Sequence, residues 1–358
     1  MKTDLAAPQT SDAISAELLR LSPDYAPTPL IDMPTLARRL GVAQALVKDE
    51  GCRMLRSFKS LGGTYAGLRA LARAAGTDIA GLIEQRPAGL PILVCASDGN
   101  HGLAVAAAAR FAGGPARIFL HSGVSAARAA RIEVMGAEIV WIDGTYDDTV
   151  DAAAFSVRGT NNILVADTTE LPSDPVVADV MAGYGVIAAE IRHQVQASGL
   201  ARPTHVFVQA GVGGLAAAVA DGLKGWMAPP AAVIVVEPAE AACVEAALAA
   251  GEPVRLAGAL ETTAGMLSCG EASTPALAVL RRCGAGVVTV SEAALDAAPV
   301  VLRALGGPST TPSGGASLAG ALAAADDAAI KARFGLGADS RVLILVTDAA
   351  IEEDGNRI

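Results

Sequence analysis

Lys59 stands in the run Arg56-Ser57-Phe58-Lys59-Ser60-Leu61-Gly62-Gly63, where a basic, a hydroxyl and an aromatic residue precede a lone lysine and glycines follow it. An amine so placed is a candidate nucleophile. Lysine amines condense with carbonyls, including the aldehyde of pyridoxal phosphate (PLP), and desolvation or a cofactor lowers their pKa towards base chemistry. Most lysines are solvated surface charges, and three further segments set Lys59 apart from those.

The first reads CASDGNHGLAVAAAARFAG, from Cys95 to Gly113. Pro91 to Ala96 is apolar enough for a buried strand, and the alanine-rich stretch from Leu103 onward predicts a helix. Between them, Ser97-Asp98-Gly99-Asn100-His101-Gly102 makes a strand-to-helix turn. Its glycines permit close backbone approach, and the helix start offers free N–H groups to a carboxylate or phosphate. An ordinary Asp-Gly bend with a helix cap has the same composition, so the turn alone leaves both readings open.

The second segment, His205 to Gly222, predicts a strand at Val206 to Val208, a bend at Gly211, Gly213 and Gly214, and a helix over Leu215 to Leu223. By composition this is an anion cradle. It lacks the Gly-Lys-Ser/Thr ending of a nucleoside-triphosphate loop and the GxGxxG spacing of a dinucleotide fold, so a small phosphate monoester fits better. The third, Arg341 to Ala350, is an apolar strand ending on Thr347 and Asp348. Ligands collect at such carboxyl ends in open α/β sheets, although Asp348 itself reads as a turn residue.

Elements able to position these residues recur along the whole chain. Strand-like runs (ALVKD, PILVCA, ARIFLH, EIVWID, NILVAD, VFVQA, AVIVVEP, VLILVTD) alternate with helical stretches, a pattern that predicts an α/β fold of parallel-rich sheets covered by helices. The chain has 358 residues, enough for two lobes around one cleft, and 52% are hydrophobic. With 37 acidic against 27 basic residues the formal charge is −10, which argues against nucleic acid and anionic membranes as partners. The opening MKTDLAAPQTSDAIS has no apolar core and no long apolar run follows, so a cytoplasmic protein is expected. The five cysteines lack CxxC spacing, which predicts no metal site and no disulfide scaffold, leaving open whether Cys243 and Cys269 pair.

Taken together, SFKSLGG, DGNHG, QAGVGGL, LVKDEGCR, YDDTV, ADTTE and AGMLSCGE resemble the fold-type II PLP enzymes, the superfamily of the tryptophan synthase β-subunit and threonine dehydratase. In detail they are similar to the diaminopropionate ammonia-lyases, because DGNHG carries an acid where dehydratases usually have Ser-Gly-Asn-His-Gly. One departure is Pro312 in TTPSGGASLAG, where the superfamily tends to place a glutamate before its Ser-Gly pair.

The resemblance implies PLP as cofactor, a small amino acid as substrate and a homodimer. It also implies a large phosphate-holding domain (residues 1–90 and 167–358) and a small mobile one (91–166). Lys59 would hold the cofactor's aldehyde and Phe58 would pack beside its ring. The loop Gly211, Val212, Gly213, Gly214 and Leu215 would bind phosphate, Asn100 the ring hydroxyl and Thr347 the ring nitrogen. Ser97, Asp98 and Gly99 would receive the substrate, with Asp98 as acid–base partner of Lys59 and Asp167 as a second candidate for that duty. A surface acid at a strand end is an equal reading of Asp167, and His101 is expected to support its turn. The implied reaction is β-elimination of 2,3-diaminopropionate to pyruvate and ammonia. The alternatives are dehydration of a 3-hydroxy amino acid (serine, threonine or hydroxyaspartate) or a catalytically silent regulatory homologue.

Overall fold

The structure is a computed structural model and describes residues 9–97, 99–144 and 146–350. Asp98 therefore lies outside the described residues. The first third of the chain runs α1 (Ser11–Leu21), β1 (Leu30–Asp32), α2 (Pro34–Leu40), β2 (Gln44–Asp49), α3 (Lys59–Ala75) and α4 (Ile79–Gln85). Then come β3 (Leu93–Ala96), α5 (Asn100–Ala112), β4 (Ala116–His121), α6 (Ala126–Glu133), β5 (Glu138–Ile142), α7 (Tyr146–Ser156) and β6 (Ile163–Leu164). The remainder is α8 (Pro175–Ala197), β7 (His205–Gln209), α9 (Gly214–Leu223), β8 (Ala232–Pro238), α10 (Cys243–Ala250), α11 (Thr274–Arg282), β9 (Gly286–Val290), α12 (Glu292–Ala304), α13 (Ala316–Asp326), α14 (Ala328–Phe334) and β10 (Arg341–Val346).

Two sheets result, one of six strands in the order β1-β2-β10-β7-β8-β9 and one of four in the order β5-β4-β3-β6. Every pairing is parallel except β1 with β2. The strands of the larger sheet are apolar on both faces because both faces are covered. Along β10, Leu343 and Leu345 join one core cluster, and Val342, Ile344 and Val346 the other, the period-two alternation of a strand between two helix layers. The first cluster is continuous from Leu93 and Ile118 of the smaller sheet to Val206 and Val235 of the larger, through α3, α5, α8 and α9.

Two expectations need correction. The helix after β3 starts at Asn100 rather than Leu103, so Asn100 and His101 belong to its first turn; Gly99, at φ 156°, supplies the break before it. NILVAD yields only the two-residue β6, while β1 and β9 fall outside the strands expected from sequence. No helix among the described residues is long and apolar enough to cross a membrane.

The helix carrying Lys59 is held at close range to α8. A Cβ on Gly62 would lie 2.4 Å from Tyr184 Cε1, and one on Gly183 2.7 Å from Gly62 Cα, so only glycines allow this crossing. A buried ionic group anchors α8 two turns further along, at Glu190. Glu190 accepts from Lys48 Nζ (2.6 Å) and from Arg53 Nη1 and Nη2 (2.8 and 2.7 Å), and Arg53 also binds Glu50 through Nε and Nη2 at 2.9 Å each. Burial opposes the charge on Glu50, but Arg53 and Lys48 hold its carboxyl below the usual range. Removing Glu190 leaves two cations buried against one anion. Glu190→Ala should therefore destabilise the protein by about 3–5 kcal/mol, seen as a lower urea midpoint with an unchanged slope. A midpoint shift below about 1 kcal/mol would show that the group is hydrated.

Candidate active site

The carboxyl ends of β3, β7 and β10 and the start of α3 converge on one cleft of about 970 Å³, its open mouth included. Lys59 enters it from the first turn of α3, where Ser57 Oγ accepts from its amide (3.2 Å). The preceding turn is fastened to the end of β10: Phe58 N donates to Thr347 O (3.0 Å) and Ala349 N to Arg56 O (3.1 Å). Phe58, Ser97, Gly99, Asn100, Asp167, Gly211 to Leu215 and Thr347 all line the cleft with Lys59.

The Lys59 amine pairs with Asp167 Oδ2, 5.3 Å from the Phe58 ring centroid and 5.9 Å from that of Tyr184. Burial alone would depress the lysine, yet the Asp167 carboxylate outweighs it and holds the ammonium above the ordinary lysine value. In the same way burial would raise Asp167, but Lys59 holds it well below the carboxylate range. A surface strand-end acid is thus not what Asp167 is. Burial lowers the His101 pKa, and its Nε2 lies 2.9 Å from Val165 O, which makes it a neutral donor bracing the turn.

Ser97 is buried, and its Oγ accepts from Gly99 N (3.1 Å) and Gly102 N (2.8 Å). Asn100 Nδ2 lies 3.1 Å from Met266 Sδ and 3.4 Å from Asp348 Oδ2. Gln209, the last residue of β7, donates through Nε2 to Thr347 Oγ1 (2.9 Å) and to the carbonyls of Ser313 and Gly314. Thr347 Oγ1 is thereby an acceptor from Gln209, which leaves its own proton to be donated elsewhere. Ser313 lines the cleft while Pro312 does not. Cys243 and Cys269 flank the glycine loop and are not joined in a disulfide, the first with Sγ 3.4 Å from Gly211 O.

Asp348 is more than a turn residue. It is 4% exposed, lines the cleft and accepts from Thr310 Oγ1 and Thr311 Oγ1, and burial pushes its pKa from 3.8 up to about 6. Between those values the folded state binds more protons than the unfolded one, so stability falls as pH rises through this window and the cost is complete above it. Asp348→Asn should raise stability at pH 8 by about 1–3 kcal/mol, with the gain fading as pH drops from 6 towards 4. An equal gain at pH 4 and pH 8 would remove titration of this carboxyl as the cause.

The family model described as pyridoxal-phosphate dependent enzyme matches residues 21–348. The chain belongs to this family. Its cofactor is PLP, and its architecture is fold type II. Diaminopropionate ammonia-lyase of Escherichia coli K12 is 33% identical over 290 residues, covering 79% of this chain and 72% of its own. A biosynthetic L-threonine dehydratase of Corynebacterium glutamicum is 33% identical over 240 residues, 66% of this chain and 50% of its own. Among solved structures, the E. coli diaminopropionate ammonia-lyase in complex with D-serine superposes with a TM-score of 0.86 at 29% identity, covering 98% of this chain and 91% of that one.

The site fits the family's cofactor. Among the described residues no amide from Gly211 to Leu215 donates to a protein acceptor, and Gly213, at φ 92°, turns them towards the cleft at the start of α9. Such an array of unpaired donors at a helix N-terminus suits a phosphate without any lysine. Several residues of the cleft escape a reading of motifs. Tyr184 comes from mid-α8 with no local signal, whereas Gln209 could be noticed as the polar end of an apolar strand directly before the loop.

Proposed function

We propose that this enzyme eliminates the β-amino group of 2,3-diaminopropionate to give pyruvate and ammonia. The observation carrying this reading is the half-buried, ionised Asp167 set against the Lys59 ammonium. A carboxylate held ionised inside a cleft is a seat for an ammonium, and a diamino acid brings a second one where serine and threonine bring a neutral hydroxyl. The similarity to diaminopropionate ammonia-lyase supports the same reading.

The amides of Gly211 to Leu215 would bind the cofactor's phosphate, Asn100 would meet its ring hydroxyl, and Phe58 would pack beside the ring. When bound, PLP supplies an electron sink for charge developing at the substrate's Cα. Thr347 would offer its hydroxyl proton to the ring nitrogen while accepting from Gln209, a neutral contact rather than a charged one. Lys59 Nζ removes or returns the proton at Cα. Asp98, with Ser97 and Gly99 beside the substrate, delivers the proton that lets the β-nitrogen depart as ammonia, and Asp167 orients that nitrogen. Phe58 and Tyr184 exclude water around Lys59. Residues 91–166 form the small mobile domain over the rest, in a cytoplasmic homodimer.

An amino-acid panel assayed for pyruvate and ammonia with PLP-loaded protein tests the reading. D- and L-2,3-diaminopropionate should exceed serine, threonine and 3-hydroxyaspartate in kcat/KM by at least about tenfold, the penalty for leaving a charged site unpaired. D-Serine belongs in the panel because the E. coli relative was crystallised with it. Preference for a hydroxy amino acid would replace this reading by a dehydratase.

A further inference from the structure

A shallow pocket of about 300 Å³, its open mouth included, lies beside the cleft and shares Asn100, Met266 and Asp348 with it. Three arginines, Arg56, Arg128 and Arg131, line it together with Thr311 and Ala349. Arg128 and Arg131 are three residues apart on α6 and so share a face. The Arg128 stem lies over Gly99, where a Cβ would come within 3.4 Å of its Cδ. Arg131 Nη2 donates to Leu55 O at 2.8 Å, joining α6 to the turn that precedes Lys59.

Arg56 stands on that turn. Leu55 and Arg56 have φ of 61° and 60°, a left-handed conformation that side chains disfavour and that persists only where surrounding structure imposes it. Arg56 is exposed, and its guanidinium makes no hydrogen bond or ion pair with another described residue. Asp348 is the one carboxylate among the described residues lining this cavity with the three arginines. None of the three has a part in eliminating 2,3-diaminopropionate, whose single carboxylate is needed beside Cα.

We propose that Arg56, Arg128 and Arg131 form a subsite for a second carboxylate, carried on the β-nitrogen of the substrate. The substrate class is then 2,3-diaminopropionate bearing an N3-carboxyalkyl group. This rests on the elimination reading and extends it. The Cα–H and Cβ–N bonds break, a Cα=Cβ bond forms, and the electron pair leaves with the β-nitrogen, which takes up a proton. The leaving group is an amino acid in place of ammonia. With N3-carboxymethyl it is glycine, and hydrolysis of the released enamine by one water gives pyruvate and ammonium. Guanidinium forks match a carboxylate's two oxygens, and the pocket opens to solvent, so a short side arm can reach them from the cleft.

The test compares N3-(carboxymethyl)-2,3-diaminopropionate with its neutral isostere, N3-(carbamoylmethyl)-2,3-diaminopropionate, and with the parent diamino acid, on PLP-loaded enzyme. The carboxymethyl compound should exceed the carbamoylmethyl one in kcat/KM by about 10- to 100-fold, carried by KM. That ratio should fall roughly tenfold in Arg56→Ala and in Arg131→Ala and largely persist in Arg56→Lys; being a ratio, it cancels any general loss of folded enzyme. Calorimetric titration with the Cα-methyl forms of both compounds, which lack the proton to be removed, should give the same ratio in Kd. Equal kcat/KM and equal Kd for the pair, with the parent turned over, would overturn the subsite and leave the elimination reading standing. Competition by inorganic phosphate without a carboxymethyl advantage would likewise overturn it, as a site for a free anion. No turnover of the parent would sink the elimination reading and with it the substrate class.

Discussion

Lys59→Ala is expected to lose essentially all pyruvate release, a fall of about 10³-fold or more, together with the visible absorption of the PLP-loaded protein. Lys59 is the one lysine among the residues lining the cleft, so no neighbouring amine replaces it. Its loss has a second consequence, because Asp167 would be left half-buried in the cleft without its cation. A stability defect could then imitate a catalytic one. Lys59→Arg separates the two: it restores a cation for Asp167 but cannot condense with an aldehyde, so thermal stability should recover while activity stays absent. Borohydride reduction of the wild-type enzyme followed by peptide mass mapping should put the cofactor on Lys59. Label on any other lysine, or appreciable activity in Lys59→Arg, would overturn the assignment.

The second large effect is expected at Asp98. Asparagine keeps the size of the side chain and much of a turn's hydrogen bonding, but it removes the charge and the proton. PLP should still load onto Asp98→Asn, while elimination should fall by about 10²–10⁴-fold, the usual worth of general acid–base catalysis. The loss should be unequal between D- and L-diaminopropionate if Lys59 and Asp98 serve opposite faces of the substrate. Asp167→Asn is the companion, and there the loss should appear in KM for both isomers, since Asp167 is given an orienting duty. Small, equal losses in Asp98→Asn would reduce that residue to a turn former and would return the hydroxy-amino-acid dehydratase to first place.

What the sequence discloses here is what is local. The lysine motif, the glycine bend after Val208 and the strand ending on Thr347 each occupy a few consecutive residues whose types have direct geometric meaning, and all of them line one cleft. The strand–helix alternation is equally legible, because an apolar run of five or six residues bounded by turn formers is too short for a helix and suits a strand buried on both faces. Residues that arrive from other elements leave no such trace. Tyr184 reaches Lys59 only because Gly62 and Gly183 bring two helices together, and neither glycine announces a partner about 120 residues away. Asp348 reads as a turn residue because its burial depends on Thr310 and Thr311 from another loop. The early start of α5 is hidden because Gly99 and Gly102 look like turn residues until Ser97 Oγ is seen capping both amides.

The place of β10 in the larger sheet sets a timetable for the molecule. It is the last strand among the described residues, yet it lies between β2 and β7 and, among those residues, links the β1–β2 ribbon to the β7–β8–β9 block. On the ribosome, both halves of that sheet emerge before the strand that joins them, each with a bare parallel edge, and must be kept from pairing with other chains in the interval. The cofactor cleft shares the delay, since Thr347 and Asp348 follow β10 and their backbone fastens the turn ahead of Lys59. PLP capture accordingly waits for β10 rather than acting as a nucleus for the sheet. A nascent chain halted before Arg341 should neither retain PLP nor resist protease, however complete its smaller sheet.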